Sequence, residues 1–110
     1  MKHEIREQDG ATIVALTGDV DLQNSPEARK ILLSCVDKKR PVLVDLSGVG
    51  YIDSSGVASL VESLQTARKS GSKLVLVAVS DGARRVLGLA RLDKVFTICA
   101  TIEEGLDKVR

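Results

Sequence analysis

Two short runs constrain the architecture more than any other feature of this chain: "VLVDL" at Val42 to Leu46 and "KLVLVAV" at Lys73 to Val79. Each is apolar almost without interruption. That is the pattern of a strand covered on both faces, and such strands belong to parallel sheets flanked by helices. The stretch between them agrees. From about Ser55 to Ser70 the apolar residues Val57, Leu60, Val61, Leu64 and Ala67 recur at helical spacing, and Gly71 then supplies a stop. Strand, helix and second buried strand in succession make a right-handed crossover unit.

The alternation extends in both directions. Glu4 to Gln8 reads as an extended edge segment, Asp9–Gly10 as a hairpin turn, and Ala11 to Thr17 as a β-branched strand, so the first pair is antiparallel. After "GDVDLQN", Ser25 has the character of an N-cap with Pro26 at the first helical position. The helix is expected over Pro26 to Asp37, with Ala28, Ile31, Leu32, Cys35 and Val36 inward, and Pro41 closes this region. A shorter helix begins near Ser80 or Asp81, with Val86, Leu87 and Ala90 inward. It is followed by a strand over Val95 to Cys99 and a helix from about Thr101 that buries Ile102, Leu106 and Val109. The predicted order is β-β-α-β-α-β-α-β-α. The fold class is therefore α/β: a mixed, mostly parallel sheet of four to five strands with an antiparallel edge strand and about four helices. In open sheets of this kind, sites gather at the carboxyl ends of the strands. "GDVDLQN", "YIDSSG" and "SDGARR" all fall at such ends.

Composition narrows the function classes. A chain of 110 residues is the size of one domain, expected to span 1–110. With no Trp, a single Phe (Phe96) and a single Tyr (Tyr51), the core must be aliphatic, and surfaces for stacking bases are missing. Sixteen basic residues against 15 acidic ones leave a formal charge of +1, so no direct nucleic-acid partner is expected. The densest basic cluster, "DKKR" at Asp37 to Arg40, suits a solvated helix end. "MKHEIREQDG" is too polar for a signal peptide, and no apolar run is long enough to cross a bilayer. No membrane insertion and a cytoplasmic location are the expectations. Cys35 and Cys99 stand alone within apolar patterns and read as core residues. Asp19, Asp21 and Asp53 have neither a histidine among them nor calcium-loop spacing, so no metal and no cofactor is predicted.

The adjacent serines of "YIDSSG", Ser54 and Ser55, admit three readings at a strand-to-helix turn. Either hydroxyl can cap the helix, as Asp53 can also do, but capping needs one group and leaves a hydroxyl over. A hydrolase nucleophile is disfavoured, because G-x-S-x-G requires glycines two positions either side of the serine. Those positions hold Ile52 and Gly56 around Ser54, and Asp53 and Val57 around Ser55. The only histidine, His3, lies in the edge segment, far from the turn in the expected fold. The third reading is a phosphoacceptor: a helix start tolerates an added phosphoryl group, and the new charge acts on whatever docks there.

"LTGDVDLQNSPE", "VLVDLSGVGYIDSSGVASLVESLQTARKSGSKLVLVAVS" and "RRVLGLARLDKVFTI" together resemble the STAS domain, in particular the stand-alone bacterial anti-sigma factor antagonists. The resemblance runs from about Ile5 to Leu106. It implies a non-enzymatic regulatory binding protein. The serine after the motif aspartate, here Ser54, would be phosphorylated by an anti-sigma factor with serine kinase activity and restored by a PP2C-type phosphatase. The unphosphorylated antagonist would bind the kinase and release the sigma factor. The partner-binding set it implies is Asp21, Asp53, Ser54, Ser55 and Gly56, with Ser55 and Gly56 shaping the helix start and Gly56 letting the kinase approach closely. Many members continue with Leu-Gly after the motif glycine where this chain has Val57 and Ala58. "SGVASL" is also similar to STAS subunits of lipid-transporting ABC systems, and other relatives are stress-signalling scaffolds. Both give alternative roles for the same fold.

Overall fold

A computed structural model describes residues 1–110. Its elements are β1 (Lys2–Gln8), β2 (Ala11–Val20), α1 (Ser25–Val36), β3 (Val42–Ile52), α2 (Ser54–Lys69), β4 (Leu74–Val77), α3 (Asp81–Leu89), β5 (Thr97–Cys99) and α4 (Ile102–Val109). The strands form one five-stranded sheet in the order β1-β2-β3-β4-β5, and only β1 runs antiparallel to its neighbour. The predicted element order and mixed sheet are both present. A single 3-10 turn, Leu92–Lys94, shortens the strand expected from Val95, so β5 begins at Thr97.

Because each parallel strand is added on the same side of the last, successive right-handed crossovers put their helices on one face of the sheet. α1, α2 and α3 form that layer. Beneath them lies the larger core, in which Val14, Leu16, Val44, Leu46 and Leu76 of the strands meet Leu32, Leu60, Leu64 and Leu87 of the helices. The opposite face carries a smaller cluster. There Ala11, Ile13, Leu43, Val75, Val77 and Cys99 pack under Leu106 of α4. α1 and α2 meet through small residues: the Ser59 hydroxyl donates to the carbonyls of Ser55 (3.1 Å) and Ser25 (3.3 Å), and Ser63 is fully buried.

β2 and β3 run well beyond the ends expected for them, and the reason is irregular pairing. Ala15 pairs with Asp45, Thr17 with Gly48, and Asp19 with Tyr51, so β3 gains a residue at each step. These are bulges, which bend a strand and re-aim its end. The Asp45 carboxylate accepts from the Ser47 N–H at 2.9 Å and supports the first of them. At Gly48, a Cβ would lie 3.0 Å from Thr17 Oγ1. β4 pairs with β3 only as far as Asp45, so the ends of β2 and β3 project as a two-stranded tongue. "YIDSSG" is at its tip.

Candidate functional site

Asp53 organises the tip. It is the N-cap of α2: Oδ1 accepts from the backbone N–H of Ser55 (2.9 Å) and Gly56 (3.2 Å), and from the Ser55 hydroxyl (2.5 Å). Oδ2 accepts from the N–H of Leu22 at 2.9 Å, which ties the β2–α1 loop to the helix start. The donors hold the carboxyl below its ordinary range, the Ser55 hydroxyl most of all, against a smaller opposing effect of desolvation. The cap is thus the aspartate. Of the three groups able to cap α2, Asp53 does so, with two oxygens that reach donors on both sides. Ser55 serves the helix start indirectly, by holding the cap in place.

At α1 the expected Ser25 cap is corrected. Ser25 is its first residue, and Asn24 occupies the N-cap without a side-chain bond. The work is done upstream, where Asp21 Oδ1 accepts from the N–H groups of Gln23 (3.1 Å) and Asn24 (3.0 Å) in an Asx turn. Asp21, expected on a partner surface, is half-buried and holds its own loop through Oδ1. Gly56 is buried, and a Cβ there would stand 2.5 Å from the Val20 carbonyl oxygen, so its smallness serves the packing of α2 on β2.

Ser54 is left over. It is the first residue of α2 and exposed, and its hydroxyl makes no hydrogen bond within the chain, while Ser55 beside it is half-buried and engaged. Around it stand two exposed apolar side chains that sequence reasoning did not single out, Leu22 (76% exposed) and Tyr51 (53% exposed). Leu22 is held by its bond to Asp53 and Tyr51 by its pairing with Asp19. Their signal in the sequence was faint: a leucine between polar loop residues and the only tyrosine. A shallow groove between the starts of α1 and α2, lined by Pro26, Arg29, Ser55, Ala58 and Glu62, opens beside them. Arg29 and Glu62 span it with bonds of 2.7 to 3.0 Å. On the far side, the Ser80 hydroxyl caps α3 through the Ala83 N–H (3.2 Å) and donates to the Val49 carbonyl (2.5 Å). The three loops at this end are therefore fastened to one another. No group of His, Cys, Asp and Glu side chains is arranged to hold a metal ion.

Fold and site together define a class: a small mixed α/β module that presents an exposed, unbonded serine hydroxyl at a helix start, on a surface of fastened loops. The chain belongs to the STAS domain family, whose sequence pattern matches residues 2–105. It is 31% identical over 97 residues to the anti-sigma-B factor antagonist of Listeria monocytogenes, covering 86% of this chain and 85% of that protein. Among solved structures, an anti-sigma factor antagonist from Mycobacterium paratuberculosis superposes with a TM-score of 0.90 at 26% identity, over 99% of this chain and 93% of that one. The Bacillus cell fate determinant SpoIIAA in its phosphorylated form shares the fold, with a TM-score of 0.74 and 19% identity over 99% of this chain and 100% of that one. No helix is long and apolar enough to cross a membrane.

Proposed function

We propose that this protein is an anti-sigma factor antagonist that binds an anti-sigma factor with serine kinase activity, releases the sigma factor, and is switched off by phosphorylation of Ser54. One observation carries the choice of residue. Of the two motif serines, only Ser54 offers a free, exposed hydroxyl, whereas Ser55 is bound to the cap. The names of the relatives support the antagonist role, and the family resemblance supplies the kinase and a PP2C-type phosphatase as partners. The protein acts in the cytoplasm as ligand and substrate of the kinase, not as a catalyst.

The electrostatics of the tip favour a switch of this type. A helix start ordinarily receives an anion on its free N–H groups. Here the N–H groups of Ser55 and Gly56 already serve Asp53. A phosphoryl group on Ser54 therefore stands out toward the partner with about −1.5 to −2 charge, next to an ionised carboxylate. Direct contact falls to Ser54, Leu22 and Tyr51, while Asp21, Asp53, Ser55 and Gly56 hold their geometry. A useful switch needs about 3 to 4 kcal/mol, some hundredfold to thousandfold in affinity.

The test is titration calorimetry against an anti-sigma factor with serine kinase activity from the same organism. Ser54→Ala is expected to bind like the parent protein and Ser54→Asp at least about tenfold more weakly, with both folded. Equal affinities, or mass-spectrometric mapping of the phosphate to Ser55, would sink the assignment.

A further inference from the structure

The outer edge of the sheet is β1, seven residues whose side chains are all exposed. A long exposed edge strand offers a row of backbone donors and acceptors to another strand, and proteins commonly blunt such edges with charge. The charges of "KHEIREQ" are ordered in a way that does the opposite for one partner, namely itself. We infer that β1 is a self-association surface, on which two copies of this chain pair antiparallel about Ile5 to continue one sheet across both.

The register follows from geometry. In a continuous antiparallel pair, residues directly opposite share a face, so the two-fold axis must pass through a residue position. Centred on Ile5, Lys2 lies opposite Gln8, His3 opposite Glu7, Glu4 opposite Arg6, and Ile5 opposite its own copy. Every residue of the strand then has a partner, no like charges meet, and the 41% exposed Ile5 is covered at the axis. Moving the centre by one residue destroys the match. Centred on Glu4, that residue faces its copy and Lys2 faces Arg6; centred on Arg6, two guanidinium groups meet and Ile5 faces Glu7. Opposite charges directly across a strand pair stabilise it, and like charges destabilise it.

The faces also agree. Within the chain, His3 and Ile5 lie opposite Leu16 and Val14, whose side chains enter the α1–α3 core, so Lys2, Glu4, Arg6 and Gln8 stand on the α4 side. A two-fold axis perpendicular to the sheet keeps those faces continuous from one copy to the next. Glu4 and Arg6 have no ion-pair partner within the chain, whereas Glu7 is shared with Arg40. The Glu4–Arg6 pairs, made twice by symmetry, therefore set the specificity. A single strand pair is small as interfaces go, below about 1,200 Å², so the dimer is a weak one, with dissociation on the order of 0.1 to 1 mM.

The test uses the whole chain in sedimentation equilibrium up to millimolar concentration. The parent protein is expected to self-associate. Glu4→Arg and Arg6→Glu are each expected to weaken association about tenfold or more, because each sets like charges across both symmetric positions. Mixing the two variants restores association to about the parent level, since both arginines of the first variant then face both glutamates of the second. All these side chains are exposed, and an unchanged circular dichroism spectrum shows that each variant is folded. A parent protein that stays monomeric throughout overturns the inference, as does self-association that both single variants leave intact or a mixture that fails to recover it.

Discussion

A methyl group on Gly56 would stand 2.5 Å from the carbonyl oxygen of Val20 and 2.7 Å from Cγ1 of Ile52, both parts of the sheet that α2 rests on. Gly56→Ala must push the helix start away from β2, and overpacking of this kind costs about 1 to 3 kcal/mol. The expected result in urea denaturation is a lowered midpoint with an unchanged slope. Ser54→Ala, on the solvent side of the same turn, should fall within about 0.5 kcal/mol of the parent protein. Wild-type stability for Gly56→Ala would show that the turn is looser than this packing requires. The division of labour within "DSSG" was only partly legible beforehand. Residue types marked the turn, but aspartate and both serines could each cap a helix. The choice depended on Leu22, whose N–H comes from 31 positions upstream to take the second carboxylate oxygen. Local spacing carries no trace of such a partner.

The helices differ in what holds them. α1 and α2 bury Ala28, Leu32, Cys35 and Val36, and Val57, Leu60, Leu64 and Ala67, against the sheet and each other. α4 buries only Gly105 and Leu106, with Ile102 and Val109 half-buried beside them. A Cβ at Gly105 would lie 2.6 Å from Val77 Cγ1 and 2.8 Å from Leu43 Cδ2, so this helix sits unusually close to the strands. Leu106→Ala is expected to cost about 2 to 5 kcal/mol. Because its contacts are confined to the second face, hydrogen exchange should show α4 amides losing protection first while those of α1 and α2 remain protected by the larger core. Uniform loss across all four helices would contradict that. The existence and type of these elements were readable from periodicity. Their ends were less so: β3 outran its apolar run because bulges at Gly48 and beyond let a polar, glycine-bearing stretch stay paired with β2. The Ser25 cap failed because Asp21, at the loop's other end, already supplied the turn.

At the scale of the molecule, the sheet divides the interior into two unequal cores, and each holds one thiol. Cys35 lies in the larger and Cys99 in the smaller, both buried. Burial raises both thiols above their ordinary pKa, desolvation being the leading cause in each case, so neither reacts readily from the native state. Alkylation under native conditions should modify Cys99 first, through opening of α4, and Cys35 only at the rate of global unfolding. Simultaneous labelling would mean that the two cores melt as one. This two-sided plan was half visible in the sequence. The alternation of strands and helices implied a covered parallel sheet, but only the strand order, with every crossover stepping the same way, puts α1 to α3 on one side. That order also leaves a single helix to close a whole face. Whenever α4 detaches, Ile13, Leu43, Val75 and Val77 become an oily, uncapped surface, and a molecule in that state is the one most open to the wrong neighbour.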